Sequence, residues 1–256
     1  MKKLKKFCVN SVKAGEKFMR KLLIFLVFAL MLSCVSVCYS DDLSRETLKL
    51  AKAGNAASQY DLGIMYFKGY DDIKQSYKEA LKWFKKSAAQ DYGDAQYNLG
   101  VIYAGGYGVK QDFKEAMKWY KKAAKNKIPG AYYNIAFMYE EAQGVKQDYK
   151  EALKWYHKAA GTKDYDDHNY AGEAEFMIGT YYHRGLGVKE DVHEAFKWYL
   201  KAAQNGVVMA QYNVALMYDR GEGVQQNFDE AQKWMRLAAE NGSEEAVNML
   251  KEAGQL

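Results

Sequence analysis

Residues Gly106–Ala124 read GYGVKQDFKEAMKWYKKAA, and four variants of this string occur elsewhere in the chain. All the tryptophans occupy one position of the string, and the intervals between them are 36, 36, 43 and 36 residues. They are Trp83, Trp119, Trp155, Trp198 and Trp234. A fixed period of this length is typical of repeat architectures. The chain is therefore predicted to stack five similar units.

Each unit is predicted to contain two helices, A and B. In the second unit helix A covers about residues 95–104, where Ala95, Leu99 and Tyr103 recur at a spacing of four and share one face. A small residue recurs within helix A, which suggests that another helix approaches closely there. These residues are Gly63, Gly100, Ala136, Gly179 and Ala215.

A glycine-containing turn and a capping box precede each helix B. The turn Gly106-Tyr107-Gly108-Val109 is predicted to hold both glycines at positive φ. In the capping box, the first residue accepts a bond from the amide of the Glu three positions later, and that Glu bonds back to the cap amide. The boxes are Ser76/Glu79, Asp112/Glu115, Asp148/Glu151, Asp191/Glu194 and Asn227/Glu230. The tryptophan after each box is interpreted as packing between neighbouring units.

The first 40 residues differ from the rest of the chain. They contain eight Lys/Arg and one Glu, then the apolar run Leu22–Leu32, and they end in small residues at Cys38 and Ser40. This order predicts a signal peptide over 1–40, with Met19 as an alternative start and cleavage after Ser40. Two alternatives stay open: an uncleaved membrane anchor over 22–39, and a lipoprotein attached through Cys34.

Without this leader the chain has 29 Lys/Arg and 31 Asp/Glu, so its net charge is slightly negative. The basic balance of the whole chain therefore gives no argument for nucleic-acid binding. All three cysteines lie in the leader, so the mature chain is predicted to form no disulfide.

The pattern A-x-Y-x-L-G-x-x-Y, then G-x-G-V, then D-x-x-E-A-x-K-W-Y-x-K-A-A closely resembles the Sel-1-like repeat, a relative of the tetratricopeptide repeat. The resemblance implies an all-α, right-handed α/α superhelix whose members act as adaptors for proteins or peptides. It implies five repeats over 57–242 (57–93, 94–129, 130–173 with an insertion, 174–209 and 210–242), between capping helices in 41–56 and 243–256. A cysteine-rich subgroup is associated with β-lactams, but the predicted mature chain lacks those cysteines.

In such a solenoid helix A lines the inner groove, so helix A positions that vary between copies are candidate partner-binding residues. One column consists of Asp61, Asn98, Asn134, Met177 and Asn213, and its amides could instead bond within the neighbouring hairpin. A second column consists of Ile64, Val101, Phe137, Thr180 and Leu216. Tyr132 and Tyr181 are further candidates, as aromatic anchors.

The only break in the period is a junction at Gly161–Glu173, seven residues longer than the others. Counted from Asp164, Glu175 falls at position twelve, as in a calcium loop, but His168 and Asn169 occupy positions that such a loop gives to a ligand and a glycine. A solvated loop is the preferred interpretation, and no metal is expected.

No catalytic motif is present: the sequence has no G-x-S-x-G and no H-E-x-x-H, and the predicted mature chain has no cysteine. We therefore expect no enzyme and no cofactor. The sequence favours an exported scaffold, periplasmic or secreted, that binds a protein or peptide on its concave surface. The alternatives are a penicillin-binding or β-lactamase-like hydrolase of the cell wall, and a membrane-anchored regulatory adaptor.

Overall fold

The structure, a computed structural model, describes residues 45–70, 73–162 and 168–254, and within these ranges every regular element is a helix. The leader prediction over 1–40 lies outside the described residues. The helices are α1 (45–52), α2 (Ala56–Lys68), α3 (Tyr77–Ala88), α4 (Gly93–Gly105), α5 (Phe113–Lys125), α6 (Pro129–Glu140), α7 (Tyr149–Ala160), α8 (Tyr170–Arg184), α9 (Val192–Gln204), α10 (Val208–Arg220), α11 (Phe228–Glu240) and α12 (Glu244–Glu252).

Five antiparallel hairpins stack in two layers, which confirms the predicted α-solenoid. Hairpins 1 to 5 pair α2 with α3, α4 with α5, α6 with α7, α8 with α9 and α10 with α11, and each helix B also packs on the following helix A. The hydrophobic clusters form at these junctions: one joins α3 to α4, and another joins α5 to α6. A single hairpin therefore cannot bury all of its apolar surface without its neighbour.

The small residue of helix A provides the predicted close approach between helices. A Cβ added at Gly63, Gly100 or Gly179 would overlap the ring of Phe84, Tyr120 or Tyr199, respectively, on helix B of the same hairpin. Each of these rings is buried, so the glycine gives it a flat backbone surface to pack against. The packing of the ring on the glycine stabilises the hairpin by more than the lower helix propensity of glycine, relative to alanine, destabilises it.

The N-caps of the B helices are confirmed, but the reciprocal half of the capping box is wrong. Asp112 accepts from the Glu115 amide at 3.0 Å, and the other four caps do the same. The Asp112 amide donates instead to the Tyr103 carbonyl of helix A at 2.9 Å, and this bond recurs in every hairpin. The cap glutamates are thereby left free to pair with the lysine three positions later.

The turn glycines have the predicted positive φ, near +70° in every G-x-G-V turn. The second glycine also touches the preceding hairpin, because a Cβ on Gly187 would lie 2.7 Å from the Tyr149 carbonyl carbon. The same contact occurs at Gly108, Gly144 and Gly223. Hairpin 1 closes differently, with two backbone bonds between Tyr70 and Ile73.

The Ala142→Gly substitution is expected to stabilise the protein by about 1 kcal/mol. Ala142 occupies the first glycine position of its turn at φ +55°, where an L side chain with a Cβ is strained by about 1–2 kcal/mol. Urea unfolding of the two proteins measures the difference. An equal or lower midpoint for the glycine variant would show that the turn carries no strain at this residue.

Both ends of the described stack are single helices. The α1 helix packs its buried Ala51 at the start of the stack, where Gln59 donates to the Ala51 carbonyl at 3.1 Å. The α12 helix begins at the side-chain cap Ser243 and buries Ala246 and Leu250 against hairpin 5. The position equivalent to the small residue of helix A is Lys251 in α12, which is exposed.

Candidate functional site

The solvent-facing side of the A helices, called the A surface below, consists of α2, α4, α6, α8 and α10. The α6 and α8 helices also contact each other directly, as neighbours on the inner side of a curved stack do. The two predicted columns run along this surface. Their members have solvent exposure in every hairpin, and Asp61 and Phe137 are the most exposed.

The asparagines of the first column have bonding partners within the stack. Asn134 donates to the Tyr97 hydroxyl of the preceding hairpin at 3.4 Å, and Asn98 donates to the Asp94 carbonyl of its own helix at 3.0 Å. Asn213 lies beside the hydroxyl of Tyr199. These contacts favour the structural interpretation of the column. Partner binding by Asn98, Asn134, Asn213, Asp61 or Met177 stays a prediction.

The prediction of Tyr181 as an aromatic anchor in the groove is wrong, because its side chain is buried, with 0% exposure. Its ring packs edge-on against Tyr156 and Tyr149 in the junction between hairpins 3 and 4. The prediction failed because Tyr181 follows the variable column by one residue and so faces inward. Tyr132 is half-buried and stacks on Trp155 at a ring distance of 6.0 Å, so it supports the tryptophan of its own hairpin.

The end of the insertion lies across the A surface. The hydroxyl of Tyr170, the first residue of α8, is 2.7 Å from the Tyr97 hydroxyl two hairpins away, and its ring also packs on Tyr133. A Cβ added at Gly130 would lie 2.9 Å from atoms of both the Tyr170 and the Tyr97 ring, so only glycine leaves room for these rings. Burial and the bond to Tyr170 raise the pKa of Tyr97 well above its usual range. The junction is thus more than a solvated loop, since its C-terminal end covers the middle of the surface.

Two large apolar side chains remain exposed on the A surface. Phe137 of α6 is 40% exposed and Met209 of α10 is 47% exposed. The surface also carries the carboxyl groups of Asp61 on α2 and Glu173 on α8, and partial desolvation by neighbouring groups raises the pKa of each. The surface therefore offers exposed apolar side chains and carboxylates on a helical support.

The same pattern of repeats is found in known proteins. The family model described as Sel1 repeat matches five segments, which together make up well over half of the chain. The matched residues are 56–92, 93–127, 129–161, 172–207 and 208–243.

The chain belongs to the Sel1 repeat family.

Solved structures of other Sel1 repeat proteins resemble this one. The protective antigen c5321 of uropathogenic Escherichia coli is 36% identical, with a TM-score of 0.73 over 79% of this chain, but this chain spans only 42% of its length. A Sel1 repeat protein from Oxalobacter formigenes is 35% identical, with a TM-score of 0.70 over 81% of this chain and 88% of its own. A comparison with curated proteins found no match. Sel1 repeats generally serve as scaffolds for protein–protein interaction.

Sequence reasoning missed a buried polar column that ties helix A to the end of helix B in hairpins 1, 2, 4 and 5 of this Sel1 protein; hairpin 3 has Tyr132 at this position. Gln96 of α4 accepts from Asn126 after α5 at 3.0 Å, and Gln211 accepts from Asn241 in the same way. In hairpin 4 the position is Glu175, whose oxygens bind Lys201 at 2.8 Å and Asn205 at 2.6 Å. Its carboxylate is therefore already engaged and is not available for the calcium loop considered above.

The remaining part of that loop, residues 163–167, lies outside the described residues. Among the residues that the structure does describe, no cluster of three His, Cys, Asp or Glu side chains could hold a metal ion. In the same ranges, no helix of this Sel1 protein is both long enough and apolar enough to cross a bilayer.

The sequence signal that could have located Tyr170 was its position in the single break of the repeat period.

Proposed function

We propose that this protein is an exported scaffold that binds a protein or peptide partner along its A surface. The observation that carries the proposal is the contrast between two sets of helix A residues. The residues that face the junctions repeat from hairpin to hairpin, as the core requires. The residues that face solvent change from one hairpin to the next, and they include the exposed Phe137 and Met209.

Exposed apolar side chains on a rigid support give binding energy without a folding cost. A preformed surface loses little conformational entropy when a partner docks, so each buried apolar contact contributes more fully to affinity. The five hairpins extend this support over a long surface, so contacts from several hairpins contribute to the binding of one partner. The leader supports export of the scaffold, through its basic start, apolar run and small residues.

The double variant Phe137→Ser, Met209→Ser is expected to lose its partner while keeping its unfolding midpoint. Both side chains are exposed, so their removal costs the fold little but removes apolar contacts from the A surface. The measurement is quantitative mass spectrometry of proteins recovered with the tagged chain from the exported fraction. N-terminal sequencing of the recovered chain checks cleavage after Ser40.

The matched control is Phe228→Ser, since Phe228 is 64% exposed but lies on α11, outside the A surface. This control should recover the partner as the parent protein does. Equal recovery by the double variant would place the binding surface elsewhere. The Asn98, Asn134 and Asn213 substitutions are a poorer test, because these amides contact other groups of the stack.

A further inference from the structure

The outward side of each helix B carries lysines at fixed positions, and two of these positions have a structural explanation. One lysine per hairpin pairs with the cap glutamate three residues before it: Lys82, Lys118, Lys154, Lys197 and Lys233. Another lies over the tryptophan ring, 3.7–5.2 Å from its centroid: Lys86, Lys122, Lys158 and Lys201. These lysines serve the repeat itself.

Two further positions carry lysines that neither pair with a cap glutamate nor lie over a tryptophan ring. The turn row lies two residues before each N-cap and reads Lys74, Lys110, Lys146, Lys189 and Gln225. The N2 row lies two residues after each N-cap and reads Lys78, Lys114, Lys150, His193 and Asp229. Within the described residues, the lysines of both rows are exposed and form no ion pair or hydrogen bond.

The fold does not require lysines in these rows. A cation in the first turn of a helix opposes the helix dipole, which favours an acidic residue there, as hairpin 5 has at Asp229. The same hairpin tolerates Gln225 in the turn row. Lys78, Lys114 and Lys150 therefore occupy positions where the helix dipole favours an acidic residue.

These lysines make one half of the B layer basic. From the end of the turn to the end of helix B, hairpin 1 has five lysines and one carboxylate, with Asp71 and Asp72 before this range in the sequence. Over the same range, hairpin 2 has six lysines and two carboxylates, and hairpin 3 has four and two. Hairpin 4 has three of each sign, and hairpin 5 has two basic and three acidic residues. The asymmetry is hidden in the whole-chain charge, because most acidic residues lie outside these ranges.

Exposed tyrosines accompany the lysines at the same end of the stack. The residue between the two turn positions is Tyr70 in hairpin 1, 55% exposed, and Tyr107 in hairpin 2, 39% exposed. The equivalent residues of hairpins 3 to 5 are Gln143, Leu186 and Glu222. Tyrosine combines an apolar ring with a polar tip, which suits the boundary between water and lipid headgroups.

We propose that the turn row and the N2 row of hairpins 1 to 3, together with Tyr70 and Tyr107, bind a membrane surface that carries anionic lipids. Lysine is a point charge without the planar fork that arginine uses for directed recognition, which suits delocalised attraction to headgroups. The Tyr107 ring is packed against Phe67 and Tyr77, at 5.5 and 5.3 Å, so it is not free to stack on bases. A lipid surface therefore fits better than single-stranded nucleic acid.

The test is amine footprinting of the full chain with vesicles of phosphatidylcholine alone or mixed with phosphatidylglycerol. Mass spectrometry reads each lysine separately, so the lysines of the leader do not obscure the result. We expect Lys78, Lys114 and Lys150 to be protected by the anionic vesicles only, while Lys189 and Lys233 stay reactive. Protection of none of the first three, or equal protection of all five, would overturn the proposal, as would stronger protection by single-stranded DNA than by anionic vesicles.

A charge-matched pair of variants gives the second measurement. The triple variant Lys78→Gln, Lys114→Gln, Lys150→Gln should bind anionic vesicles about a hundredfold more weakly, since each lysine near such a surface contributes about fivefold. The control Lys189→Gln, Lys233→Gln, Arg236→Gln removes the same charge from hairpins 4 and 5 and should lose far less. Equal losses would show that net charge alone, and not this face, governs binding.

Discussion

The Gly187→Ala substitution is expected to lower the free energy of unfolding by about 3 kcal/mol, which combines backbone strain with overpacking. Gly187 has φ +66°, a region that an alanine enters only with strain. Its added Cβ would also lie 2.7 Å from the Tyr149 carbonyl carbon and 2.8 Å from the Lys150 amide nitrogen. These atoms belong to the backbone of the preceding hairpin, so no side chain can rotate away to relieve the overlap.

Gly185→Ala is the matched control for this prediction. Gly185 lies in the same turn at φ +65°, but its added Cβ would come no closer than 3.4 Å to another group. This variant should therefore show only the strain, about 1–2 kcal/mol. Urea unfolding followed by tryptophan fluorescence gives both values. If the two variants unfold at the same midpoint, the backbone of hairpin 3 accommodates the added Cβ without cost, and the predicted overlap is wrong.

Trp119→Ala is expected to cost about 3–5 kcal/mol, as for other large aromatic side chains removed from a core. Trp119 belongs to hairpin 2 but packs on the cluster of Phe84, Leu99 and Ile102, which joins hairpin 1 to hairpin 2. Its indole Nε1 is buried. The substitution should therefore leave a cavity at the junction, and chemical unfolding of the purified chain measures its cost.

The cation over the Trp119 ring provides the control for this second prediction. Lys122 Nζ lies 4.0 Å from the ring centroid, so Lys122→Gln removes the cation and keeps the indole. Its cost should be about 0.5–1 kcal/mol, the usual contribution of such a pair at an exposed site. An unchanged midpoint for Trp119→Ala would contradict the assignment of the tryptophan to the core.

The cap prediction succeeded because it depends on a local pattern that recurs in every hairpin. The tryptophan prediction is confirmed for Trp119, Trp155, Trp198 and Trp234, which pack on clusters that join neighbouring hairpins. The N-caps follow from the choice of Ser, Asp or Asn before an apolar face, and all five were confirmed. The reciprocal bond of the capping box was wrong for a reason that no single helix shows. The cap amide meets the Tyr103 carbonyl of the neighbouring helix A, or its equivalent, and that bond replaces the one to glutamate.

The candidate site was harder to predict than the fold. A column of varying residues identifies positions that the repeat leaves free, but it does not show what each side chain contacts. Asn134 varies with its neighbours in the column and yet bonds to Tyr97 of another hairpin. Tyr170 was missed because its bond to Tyr97 joins hairpins 2 and 4, which are separated by a full repeat, and its ring packs on Gly130 of hairpin 3. A local sequence pattern does not predict a contact between residues so far apart in the chain.

The sequence by itself determined the period, the helices, their caps and the turns, because each depends on residues within a few positions of one another. It also determined the lysine rows, whose asymmetry can be counted along the chain. Only the tertiary structure decided which surfaces stay exposed, since each cluster includes side chains from neighbouring hairpins. Tyr181 became core, Tyr170 came to lie over Gly130, and Phe137 stayed in solvent because stacking, not local sequence, sets what each side chain meets.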